Sequence, residues 1–168
     1  MLLNQVYQYT DSNERIRVVY ETLEFIWLIN LNDESAWPIL MPTSELHELL
    51  AAQTIECISE PFTFSHVELD GAQVLKRDEA YTLLKILLKD HGKLFDKASR
   101  NRLIRNAVEV TGKPRIYFIR QLRRYWQRGM TPNALLPDYH KSGGKGKSRR
   151  SLVQYEMSLN ESLISNIK

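Results

Sequence analysis

Five arginines crowd the stretch from Pro114 to Arg128, which reads PRIYFIRQLRRYWQR and holds no acidic residue. At about 3.6 residues per turn, Phe118, Ile119, Leu122, Tyr125 and Trp126 share one side of a helix. Tyr117, Arg120, Arg124, Gln127 and Arg128 share the other. The first side can enter a core. The second offers guanidiniums, an amide and a phenol to a polyanion. A helix of this kind fits the major groove of B-form DNA, where Arg and Gln reach base edges and phosphates. The plainer alternative is a solvated basic face with no partner, since such faces are common on surface helices.

Other chemistries find no residues to carry them. The histidines His47, His66, His91 and His140 are scattered, without a Cys or His at ligand spacing, so no metal site and no cofactor is expected. Gly146-Lys147-Ser148 resembles the end of a phosphate-binding loop. That motif needs a glycine where Lys141 stands, and a preceding strand, so nucleotide hydrolysis is not expected. Cys57 is the sole cysteine, which rules out an internal disulfide and suits a reducing cytoplasm. Its apolar surroundings predict a buried, inert thiol.

The arginine helix needs elements to hold it. Asp96 can cap a helix running to about Val110, with Leu103, Ile104, Ala107 and Val108 inward. Thr111-Gly112-Lys113 then breaks the chain, and Pro114 suits the first helical position that follows. Upstream, Asp78 can cap a helix from Glu79 to about Asp90, with an apolar stripe of Ala80, Leu83, Leu84, Leu87 and Leu88; Gly92 ends it. Residues 71–129 thus read as a three-helix, helix-turn-helix domain whose last helix carries the arginines. Met130 to Tyr139 (MTPNALLPDY) is expected to be extended, and His140 to Arg150 (HKSGGKGKSRR) to be a basic arm, giving a segment 130–150. In the tail 151–168, Leu152, Tyr155, Leu159, Leu163 and Ile167 can line an amphipathic helix.

Residues 1–70 read as a small β-rich domain. Leu3 to Tyr9, Arg15 to Tyr20 and Leu23 to Leu31 are strand-like runs joined by short turns, and Leu23, Phe25, Trp27, Ile29 and Leu31 are assigned to one face. Ile39 to Met41 is a short edge piece between prolines. A helix capped by Thr43 or Ser44 runs to about Ala52, and Thr54 to Ser59 is a last strand. The class is α+β, with a small barrel or curled antiparallel sheet before the helices. Trp27 and Trp37 are read as packing residues.

Hydrophobic residues make up 43% of the chain, enough for a core, while charges interrupt every run before it could span a membrane. The opening MLLNQVYQY has no basic n-region followed by an apolar h-region, so no secretion signal is expected. A net charge of +3 conceals a division: residues 1–70 hold two basic against twelve acidic residues, and residues 71–150 hold twenty against six. A nucleic-acid surface is therefore expected in the second half, with the acidic first half facing protein or solvent.

The string LRRYWQRGMTPNALLPDY, Leu122 to Tyr139, closely resembles a signature of the TnsB family of transposases, within the Mu-like DDE recombinases. Ser142-Gly143, Phe95-Asp96 and Lys76 to Glu79 fit more weakly, so that about residues 1–150 resemble that family's N-terminal region. The resemblance implies binding to repeated sites in transposon ends through helix-turn-helix modules, in a bacterial, nucleoid-associated cytoplasmic protein. It also implies a downstream metal-dependent catalytic domain, for which this chain has no room, so no enzymatic activity is expected. On this reading Tyr117, Arg120, Arg124 and Gln127 enter the major groove. Ser99, Arg115, Arg123 and Arg128 meet flanking phosphates. Lys141, Lys145, Lys147, Arg149 and Arg150 follow the backbone or the minor groove. The partners are double-stranded DNA and other transposition proteins, not a membrane or a small molecule. Rival readings are a regulator that occupies the ends, and a protein-interaction module docking through the acidic part.

Overall fold

The first sixty residues hold short runs rich in β-branched and aromatic residues, separated by turn clusters, and five of these runs become strands. The computed structural model describes residues 1–62 and 71–138. Strands β1 (Val6–Tyr9), β2 (Arg15–Glu21), β3 (Phe25–Asn30) and β4 (Ile39–Pro42) are followed by helix α1 (Thr43–Ala51) and strand β5 (Ile55–Ile58). The sheet order is β4-β3-β2-β1-β5, antiparallel throughout. β4 and β5 lie at opposite edges, so the sheet is open and not a closed barrel.

Both faces of this sheet are covered. On one, Tyr7, Ile16, Val18, Ile26 and Leu28 pack with Leu46 of α1 and Ile55 of β5. On the other, Val19 and Ile29 join the helical core. A bulge makes the second face possible. Val18 pairs with Leu28 but Tyr20 with Trp27, leaving Val19 as an extra residue in β2. The face assigned to Leu23, Phe25, Trp27, Ile29 and Leu31 is divided: Ile29 is buried and Trp27 and Leu31 pack on the helical core, whereas Leu23 is fully exposed and Phe25 is 38% exposed, and Ile26 and Leu28 are buried on the opposite side. Alternation cannot say which face is buried when a second layer covers the other. Cys57 corrects a further expectation, for it sits on edge strand β5 and is exposed.

Three longer helices follow: α2 (Gly71–Leu88), α3 (Lys97–Thr111) and α4 (Arg115–Gln127), with 3-10 turns at His91–Phe95 and Pro132–Leu135. α2 starts at Gly71, well before Glu79. Residues such as Ala72, Gln73, Leu75, Lys76 and Arg77 are good helix formers, and Asp78 pairs with Arg77 Nε at 2.8 Å instead of capping. α1 has Pro42 at its cap position and no side-chain cap, so neither Thr43 nor Ser44 plays that part. Asp96 does cap α3, accepting from the Ser99 N–H at 2.7 Å. Gly112 ends α3 in the left-handed region at φ 70°, where a Cβ would be strained. Pro114 is the cap residue of α4, one position earlier than expected. The segment after α4 is not extended: Ala134, Leu135 and Leu136 are buried, because the apolar pair in NALL folds back on the helices. Among the described residues no helix is long and apolar enough to cross a membrane. The basic arm and the 151–168 tail lie outside the described residues, as does most of the 61–70 connector.

Trp126 is wholly buried at the centre of the helical core, with Leu84, Leu87, Leu94, Ile104, Phe118 and Leu122. Aromatic rings carry this core to the sheet. Phe95 lies 5.4 Å from Trp126 and stacks on Tyr20 at 4.8 Å, and Trp27 completes the group. The Trp126 indole N–H donates to His91 Nε2 at 3.3 Å. His91 must be unprotonated there to accept, and burial lowers its pKa from the ordinary value of 6.5.

A buried charge also joins sheet and helices. Arg17 in β2 is fully buried. Its guanidinium grips Glu60 with two bonds, at 2.6 and 2.7 Å, and donates to Asn4 Oδ1 at 2.8 Å and to the Gln127 carbonyl at 3.3 Å. Burial opposes the charge on Glu60, but the bonds from Arg17 and from the Phe62 N–H, with the Arg17 charge, hold its carboxyl below the usual range.

Truncation of one member of a buried pair strands the other. Arg17 is fully buried but Glu60 is about a third exposed, so Arg17→Ala is expected to lower the unfolding free energy by about 3 kcal/mol, the low end for a broken buried pair, read from urea denaturation. The His91 shift gives a pH dependence of known sign. The unfolded chain takes up a proton that the folded one resists, so stability present above pH 6.5 declines as pH falls below it. Denaturation midpoints at about pH 7.5 and 5.5 should separate in the parent more than in His91→Gln; equal separations would contradict this.

Candidate nucleic-acid interface

α3, the turn at Gly112 and α4 form a helix pair, with three arginines on the first member and four on the second. The two halves of α4 do different work. Its C-terminal half is fastened down. Gln127, only 8% exposed, donates both amide hydrogens to backbone carbonyls of the sheet lobe: Asn30 at 2.9 Å and Asp33 at 2.7 Å. Asn4 Nδ2 donates to the Gly129 carbonyl at 3.2 Å. The Arg123 guanidinium lies over the Trp37 ring at 4.4 Å, beside Arg100 at 4.1 Å. Burial, opposed by nearby Asp33, lowers the pKa of Arg123. Arg124 Nη2 donates to the Leu136 carbonyl at 2.5 Å and so ties down the following turn. Arg128 lies over Phe62 at 5.8 Å.

The N-terminal half is open. Arg115, Ile116 and Arg120 are exposed. Arg115 is steadied by a 2.7 Å bond from Nη2 to Asn101 Oδ1 of α3. Tyr117 is half-buried, edge-on to Phe118 at 5.5 Å, with Lys113 Nζ 5.7 Å from its ring. Burial first, then Glu79, raises its phenol pKa against the pull of Lys113, which keeps the hydroxyl neutral as a donor and acceptor. Lys113 is itself paired with Glu79 at 3.1 Å. Ser99 is half-buried at the capped start of α3.

The expected site residues are therefore divided. Arg115, Tyr117 and Arg120 fall together on the open half. Gln127, expected beside them, is instead covered by the sheet lobe, which takes both of its amide hydrogens. Arg123, Arg124 and Arg128 lie on the fastened half. Lys141, Lys145, Lys147, Arg149 and Arg150 lie outside the described residues. Two exposed arginines of α3 were missed, Arg102 and Arg105. Arg105 stands one turn beyond Asn101, the residue that holds Arg115, and that spacing of four was the available signal. Among the described residues, no three or more His, Cys, Asp or Glu side chains gather as a metal site would need.

Comparison with known proteins bears on this arrangement. Residues 1–61 match the model of the TnsB N-terminal SH3-like domain, and residues 77–139 match that of the TnsB second domain. The transposon Tn7 transposition protein TnsB of Escherichia coli is 27% identical over 150 residues, which cover 88% of this chain and 21% of that protein. The chain thus spans about a fifth of the length of this curated relative. With the open antiparallel sheet first and the helices second, as the two matched domains follow one another, the chain belongs to the TnsB family and corresponds to its N-terminal region.

Proposed function

We propose that this chain binds duplex DNA sequence-specifically at the terminal repeats of a transposon, as a module without catalytic chemistry of its own. The observation that carries the reading is the open, acid-free first half of α4, presented by a helix pair in a TnsB-family chain. In helix-turn-helix readers, the N-terminal residues of the second helix contact base edges. Arg120 and Tyr117 take that position here. Arg115, Arg105 and the start of α3 at Ser99 flank it and meet phosphates, as do the outer edges of Arg123 and Arg128. Arg124 supports the helix from the side of Leu136. The arm residues Lys141, Lys145, Lys147, Arg149 and Arg150 add backbone contacts. The sheet lobe, rich in carboxylates, turns away from the duplex.

Fluorescence anisotropy on duplexes carrying the element's repeats, against scrambled duplexes, tests this. Neutralising about six to eight phosphates gives a slope of log affinity on log salt of roughly −5 to −7. Arg120→Ala should cost about 1–3 kcal/mol on the repeat and narrow the gap to scrambled DNA. Gln127→Ala should instead weaken folding and leave the preference of the folded protein unchanged. Equal affinity for repeat and scrambled duplexes would overturn the reading.

A further inference from the structure

Ile116 does not belong to either hydrophobic core. It is 49% exposed, on the strip of α4 that also presents Arg115 and Arg120. A β-branched side chain in a helix loses rotamer freedom, and here about half of it still faces solvent. Arg115, which could fold over it, is directed to Asn101 instead. Ile116 and Arg120 are four residues apart, so they are neighbours on one face, separated by about 6 Å along the axis. The fastening of Arg124 and Gln127 confines any base contact of α4 to this stretch.

In the major groove, the apolar feature that distinguishes one standard base pair from another is the C5 methyl of thymine. We infer that Ile116 is a specificity-determining residue, packing on a thymine methyl. Arg120 donates its paired N–H groups to a guanine about two base steps away, since steps are about 3.4 Å apart. This assignment rests on the reading that α4 enters the major groove. It adds a defined element to the sequence recognised: a thymine and a guanine in close succession.

The test replaces each thymine of the bound repeat, one at a time, by deoxyuridine, which lacks only the methyl. The full chain and Ile116→Ala are compared by anisotropy, with circular dichroism confirming the fold of the variant. At one position the parent should lose about fourfold in affinity, the worth of one buried methyl-sized group. Ile116→Ala should lose a similar factor on the thymine duplex and be indifferent to deoxyuridine there. If the repeat is preferred over scrambled DNA but no position shows a methyl effect, the assignment of Ile116 fails while the proposed function stands. A methyl effect that survives in Ile116→Ala also overturns it. No preference for the repeat removes both readings together.

Discussion

The buried guanidinium of Arg17 is the constraint on which the rest of the molecule depends. A charge in an apolar interior is tolerable only with its bonds made. Arg17 makes them through its two terminal nitrogens, to groups that come from distant parts of the chain: Asn4 before β1, Glu60 after β5, and the Gln127 carbonyl at the end of α4. The strand start, the sheet exit and the helix end must therefore meet at one point. Gln127 answers in the other direction, donating to the carbonyls of Asn30 and Asp33. Sheet and helices are locked by reciprocal polar bonds that no apolar contact could orient so narrowly.

Apolar packing supplies the bulk of the contact. The Val19 bulge turns β2 so that Val19 faces the helices, and the rings of Tyr20, Trp27, Phe95 and Trp126 fill the space between. Such rings bring large buried areas with preferred offset geometries. Trp37 adds a third seam, with Arg100 and Arg123 over its ring. Residues 1–62 thus act as a brace for α4. They hold its second half rigid and leave its first half unobstructed, and a pre-positioned helix loses less freedom on binding.

This division also changes how the arginines are understood. Five guanidiniums in one short stretch suggest a uniform basic face. In the folded protein they are specialised: Arg115 is steadied by α3, Arg120 is open, Arg123 and Arg128 lie on aromatic rings, and Arg124 secures the turn at Leu136. Arginine suits all these tasks, since its planar fork can stack, bridge and donate in pairs. Affinity and architecture draw on the same residue type, so charge density alone overstates the available surface.

Local chemistry was legible in the residues themselves. The five strands, the capped start of α3 at Asp96, the break at Gly112 and the burial of Trp126 follow from period, caps and turn residues, which act over a few positions. The string from Leu122 to Tyr139 carried the family. What local pattern could not convey is which faces meet. The second covered face of the sheet, the pairing of buried Arg17 with Glu60, the exposure of Cys57 and the capture of Gln127 each arise from partners far away in the chain. A helical wheel places Gln127 beside Arg120; only the sheet lobe, folding back across the end of α4, decides that one is sealed and the other is free.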